Sequence, residues 1–138
     1  MKKQLLVVLS LGLLLATASA YAQTAKISAK VPFDFTVNGK TLPAGEYVIS
    51  RVDTNDKVLA ITCRDEHVTM LAIPYEKETL NPAANTELVF NHRGSRYFLS
   101  QIWVSGSAAG REFAQGQLES ELALDYPVEK VVLLAKAR

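Results

Sequence analysis

The sequence predicts an all-β domain: an antiparallel β-sandwich or barrel of about seven strands, with one short helix over 115–123. Three observations carry this. Apolar and polar residues alternate from Ile27 to Val37, the period of two that a half-buried strand requires. Asn38-Gly39 closes that stretch with a tight-turn pair, and Arg93-Gly94-Ser95 joins two further strand-like stretches, as hairpin turns do. The strand-like segments also follow one another without intervening helices, which argues against parallel βαβ units.

The chain opens with a leader. Lys2 and Lys3 precede a run of 18 uncharged residues from Leu5 to Ala22, which ends in the small residues Ala18, Ser19, Ala20 and Ala22. This is the three-part pattern of a secretory signal peptide over 1–22, with cleavage after Ala22 and Ala20 as second choice. Polar and small residues dilute the run, so a spanning anchor is the weaker reading. Residues 23–138 then form a single β domain, which makes contact with a membrane only through the leader before cleavage. That domain is periplasmic or extracellular.

Each element of the mature chain has a local reason. Pro32 cannot donate to a ladder, so the strand over 27–37 is bent there or lies at a sheet edge. Lys40 to Leu42 reads as a short link between the Asn38-Gly39 turn and a second turn at Pro43-Ala44-Gly45. Residues 46–52, 58–63 and 67–73 carry apolar side chains in both phases, as central strands buried on two sides would. The polar clusters Asp53-Thr54-Asn55-Asp56 and Arg64-Asp65-Glu66 separate them.

Residues 74–85 are rich in Pro, Glu and Asn and read as an exposed connection. Residues 87–92 and 96–104 form the second hairpin, and 105–110 is loop by composition. Leu118 and Leu122, at i and i+4, mark the short helix. After Pro127, the β-branched run over 128–135 supplies a closing strand.

Composition narrows the function classes. Apolar residues make up 49% and charged residues 21% of 138, enough for one hydrophobic core. With Lys+Arg 15 against Asp+Glu 14 the chain has no electrostatic footprint for nucleic acid. Removing the leader leaves 13 basic against 14 acidic residues, a net charge of −1. Cys63 is the single cysteine, so no internal disulfide forms, and its thiol is expected to be buried and inert.

The strings Val31-Pro32-Phe33-Asp34-Phe35, Leu42-Pro43-Ala44-Gly45-Glu46-Tyr47, Arg96-Tyr97-Phe98-Leu99-Ser100-Gln101-Ile102-Trp103 and Gly110-Arg111-Glu112, with a Val-Val-Leu-Leu-Ala ending, carry a resemblance. From about Val31 onward the chain resembles small exported proteins of uncharacterised function from soil acidobacteria. The resemblance implies export. It supplies no activity, cofactor or catalytic residue.

Chemistry-bearing residues are sparse. Cys63, Asp65, His67 and His92 include metal-ligand types, but Cys-x-x-x-His is not a recognised spacing and His92 lies in another hairpin. A histidine could serve Ser95, Ser100 or Ser105 as general base, yet no Gly-x-Ser-x-Gly elbow, phosphate loop or His-Glu-x-x-His motif marks a nucleophile or a metal. No catalytic residue, metal ligand or cofactor is therefore assigned.

The expected site is instead a binding surface of Arg93, Arg96, Tyr97, Trp103, Arg111 and Glu112, because Arg, Tyr and Trp dominate binding hot spots. Alternation along 96–104 would place Tyr97, Leu99, Gln101 and Trp103 on one face. The three arginines, beside Gly-containing connections, are expected to be exposed and dispensable for folding. The function expected is an exported, non-catalytic β domain acting by binding or assembly, with an unidentified partner in the envelope or outside the cell. A small secreted hydrolase or metal-binding enzyme is the alternative.

Overall fold

A computed structural model describes residues 26–52, 54–55 and 57–137. The expected leader over 1–22 and its cleavage point lie outside them. Two sheets face each other across a shared core, and no closed barrel forms. The first sheet contains β1 (Lys26–Val31), β4 (Gly45–Arg51), β5 (Leu59–Cys63), β6 (Val68–Ala72) and β12 (Lys136–Ala137), in the order β12-β1-β4-β5-β6. The second contains β2 (Phe35–Val37), β3 (Lys40–Leu42), β7 (Tyr75–Glu78), β8 (Glu87–Arg93), β9 (Arg96–Trp103), β10 (Ala109–Glu112) and β11 (Glu129–Leu134). Its main order is β11-β8-β9-β10-β7, and β2 joins β9 alongside β3. All pairings are antiparallel except β2 with β9.

The all-β sandwich expected from the alternation is present, with twelve strands among the described residues rather than about seven. The run over 27–37 is two strands. Pro32 ends β1, and the chain crosses the core so that β2 pairs in the opposite sheet. Parity survives the crossing: Ala29, Val31, Phe35 and Val37 are all buried. The Asn38-Gly39 turn forms as expected, with φ values of 49° and 75° that suit a tight hairpin.

Three segments read as links are strands. Lys40 to Leu42 pairs with β2 and buries Leu42 opposite Phe35. Tyr75–Glu78, inside the expected connection over 74–85, pairs with Ala109–Glu112, and that pairing makes a strand of the end of the expected loop over 105–110. These pieces are short and largely polar, and β3 and β7 lie at an edge, so they carry no alternation of their own. Gly110 has a packing reason: a Cβ there would lie 2.5 Å from the Trp103 ring.

Two-sided burial of β4, β5 and β6 is not what forms. β4 and β5 are interior strands of their sheet, but Tyr47, Ile49, Leu59, Ile61 and Cys63 are buried on the core side while Val48, Ala60 and Thr62 are only half-buried behind them. The small apolar residues tolerate a partly wet outer face. The β6 edge leaves Leu71 60% exposed.

The helix expected over 115–123 is α1 (Gln117–Leu122). Its buried residue is Glu119, whereas Leu118 is exposed. The chain then returns as β11 against β8 and bends at Ala135 into β12, so its end crosses from one sheet to the other. Among the described residues no helix is long and apolar enough to cross a membrane.

Tyr47 shows how the core is closed at the Pro43 turn. Its hydroxyl donates to the Pro43 carbonyl, and its ring meets Phe35 edge-on at 5.0 Å. Burial, reinforced by the neighbouring Cys63, pushes the phenol well above its ordinary value of 10.0. The folded state therefore holds this proton more tightly than the unfolded chain does. The resulting stability is complete below pH ~10 and is lost as pH rises beyond it, by up to about 1.4 kcal/mol per unit. Urea unfolding from pH 9 to 11 is expected to show a steeper decline for the wild type than for Tyr47→Phe. Equal slopes would contradict a buried, proton-retaining phenol.

Candidate functional site: a cleft between the sheets

The structure does not join the six expected binding residues into one surface. A bulge decides this. Phe90 pairs with Leu99 and Val89 with Gln101, so Ser100 has no opposite residue and the parity of β9 switches there. Tyr97 and Leu99 point into the core, while Gln101 and Trp103 lie on the other face, where the Trp103 indole N–H donates to Gln101 Oε1 at 3.0 Å. The shared face expected for these four residues is thus broken by one extra residue.

Each expected residue has its own surroundings. The Arg93 side chain is only 13% exposed; its Nη1 donates to the Tyr126 carbonyl at 3.1 Å and its Nε lies 4.0 Å from the buried Glu119 carboxylate. It is not the exposed loop arginine the sequence predicts, because the turn after α1 folds over the hairpin tip. Arg96 is exposed at that tip. Tyr97 is stacked between Phe33 at 3.8 Å and His92 at 4.1 Å. Trp103 is buried against Gly110.

Arg111 pairs in register with Ile102, six residues along β9 from Arg96, hence roughly 20 Å from the tip at about 3.3 Å per residue. It points between the sheets. Glu112 points to the outer face and pairs with Lys77 at 2.9 Å. Nor is the loop over 105–110 free. Gly106 N donates to the Ala83 carbonyl and Ser105 Oγ to the Ala84 carbonyl, which ties the loop to the connection after β7.

The residues of the alternative reading are also dispersed. Cys63 is fully buried under Gly45, Asp65 accepts the Glu46 amide at 2.9 Å, and His67 occupies a turn with φ 53°. His92 belongs to the opposite sheet. Among the described residues no group of three or more His, Cys, Asp and Glu converges.

What the fold does build is a cleft of about 410 Å³ between the sheets, at the end where β4, β9 and β10 meet. Its walls are the inward phases of strands from both layers: Ile27, Ile49 and Leu59 on one side, Ile102, Val104 and Ala109 on the other. At this end β10 places Arg111 between the layers, and Arg51 follows Ile49 at the exposed end of β4, so the apolar walls end in long charged side chains. Side chains of this kind keep their charged heads toward water at the edge of an apolar surface.

The rim holds both signs. Arg111 Nη1 lies 3.9 Å from Glu76 Oε1, an ion pair too long for a hydrogen bond, with the arginine side chain 23% exposed and the glutamate 64%. Arg51 also lines the mouth. The lining holds neither His nor Cys, and Ser107 Oγ is engaged with the Ala109 backbone. An apolar interior with a few polar groups at its mouth is how small-molecule sites are built, and the volume lies in their range.

Of the cleft, the sequence reading reached only Arg111. A signal for Arg51 is present: Tyr47, Ile49 and Arg51 share one phase of β4, so a charged side chain follows two core residues where the strand reaches the surface. No comparable signal marked Glu76, whose strand exists only through pairing with β10. Compared with family models, with curated proteins and with solved structures, the chain matches none.

Proposed function

We propose that the protein is an exported, non-catalytic β-sandwich that acts by binding at the cell envelope or outside the cell, and that the cleft between the sheets is where it binds. The observation that carries this is the open apolar cleft with Arg111 facing inward at its rim. Arg111 stands at the mouth of these apolar walls with its side chain 23% exposed and its nearest carboxylate 3.9 Å away, too far for a hydrogen bond, so the cleft pairs an apolar interior with a polar group able to orient a ligand. The leader pattern over 1–22 and the resemblance to small exported acidobacterial proteins support export.

The test uses the chain from Gln23 and a neutral, polarity-sensitive fluorescent dye. Saturable binding is expected, and Ala109→Phe, which fills the cleft, is expected to abolish it with the circular dichroism spectrum unchanged. Dye binding that survives Ala109→Phe would place the site elsewhere and defeat the reading.

A further inference from the structure

We propose that the cleft takes a single-tailed aliphatic carboxylate, its chain against Ile27, Ile49, Leu59 and Ile102 and its head group on Arg111. This rests on the cleft being the binding site. The walls are aliphatic on both sheets, so they match an unbranched chain and offer no aromatic surface or hydrogen-bonding array for a sugar or a base.

The head group follows from Arg111. A guanidinium presents five N–H donors in a planar fork, which a carboxylate fits with two parallel hydrogen bonds. Arg111 already faces one carboxylate, Glu76, but at 3.9 Å and without a hydrogen bond. Glu76 approaches from the solvent side and is mostly exposed, so its pairing is weak and easily displaced. A ligand carboxylate reaching the rim from inside the cleft meets the same guanidinium at a drier position, where charge-assisted hydrogen bonds are stronger. A cationic head group is disfavoured at Arg111, where it would meet a like charge.

The experiment compares dodecanoate with dodecanol, both below micelle-forming concentrations, as competitors of the neutral dye on the chain from Gln23. Dodecanoate is expected to bind about tenfold tighter than dodecanol. Arg111→Gln should bring the acid-to-alcohol affinity ratio to about one, with the circular dichroism spectrum unchanged, and Arg111→Lys should restore part of the preference. Glu76→Gln should tighten dodecanoate by about twofold, since the competing carboxylate is gone.

Equal affinity for acid and alcohol, or an acid preference that persists in Arg111→Gln, overturns the head-group assignment and leaves the cleft reading standing. Dye binding with no competition by either chain overturns the aliphatic ligand. Competition that Ala109→Phe does not diminish overturns the cleft itself.

Discussion

Phe35→Ala is expected to destabilise the domain by about 3–5 kcal/mol, the largest effect of any single substitution considered. Phe35 is 2% exposed and belongs to the sheet that holds Phe90, yet its ring also meets Tyr47 of the opposite sheet, with both contacts edge-on at 5.0 and 5.4 Å. It is one of the side chains through which the two layers touch. Truncation removes the transfer free energy of the ring and leaves a cavity that two hydrogen-bonded sheets cannot collapse to fill. Leu99→Ala, on the core side of the β9 bulge, should cost roughly 2–5 kcal/mol for the same reason. Urea denaturation reads both directly. A cost under about 1 kcal/mol for Phe35→Ala would mean that the sheets do not pack through this ring.

Arg93→Ala is expected to cost about 3 kcal/mol, while Arg96→Ala, three positions along the same hairpin, stays within about ±0.5 kcal/mol. The exposed, dispensable role that composition suggests for both applies to Arg96 alone. Glu119 is 4% exposed, and without Arg93 its carboxylate keeps only the Asn91 amide at 3.3 Å. A buried charge stripped of its counter-charge is the expensive case. The pair itself is imperfect, because Arg93 Nε has no hydrogen-bond partner and Glu119 stands 4.0 Å away. Replacing both, as Arg93→Met with Glu119→Leu, should therefore recover more than half of the loss. Chemical denaturation of the two single variants and the double variant measures this. A harmless Arg93→Ala would show that the turn after α1 does not depend on the pair.

The contrast between these arginines shows what kind of information the sequence holds. Both stand beside Gly94, and local composition treats them alike. Their difference comes from residues 119 and 126, which reach the hairpin only because α1 lies over that sheet. Tyr97 and Trp103 teach the same lesson through register. Counting by twos puts them on one face, and the extra residue at Ser100 puts them on opposite faces. A bulge is a property of the ladder between two strands, and one strand alone gives little sign of it.

Taken alone, the sequence determined the all-β class, the hairpins at Asn38-Gly39 and Gly94-Ser95, the cores of the longer strands and the short helix. All of these follow from interactions within a few residues: side-chain parity along a strand, φ preferences at turns, and i to i+4 spacing. The tertiary structure decided how the layers are assembled and where the site lies. It sent β1 and β2 into different sheets on either side of Pro32 and made strands of Tyr75–Glu78 and Ala109–Glu112 by pairing them with each other. It also brought Arg51, Glu76 and Arg111 to one rim. Those outcomes depend on pairings between segments distant in the chain, whose strength comes from ladders and burial that exist only once both partners are in place.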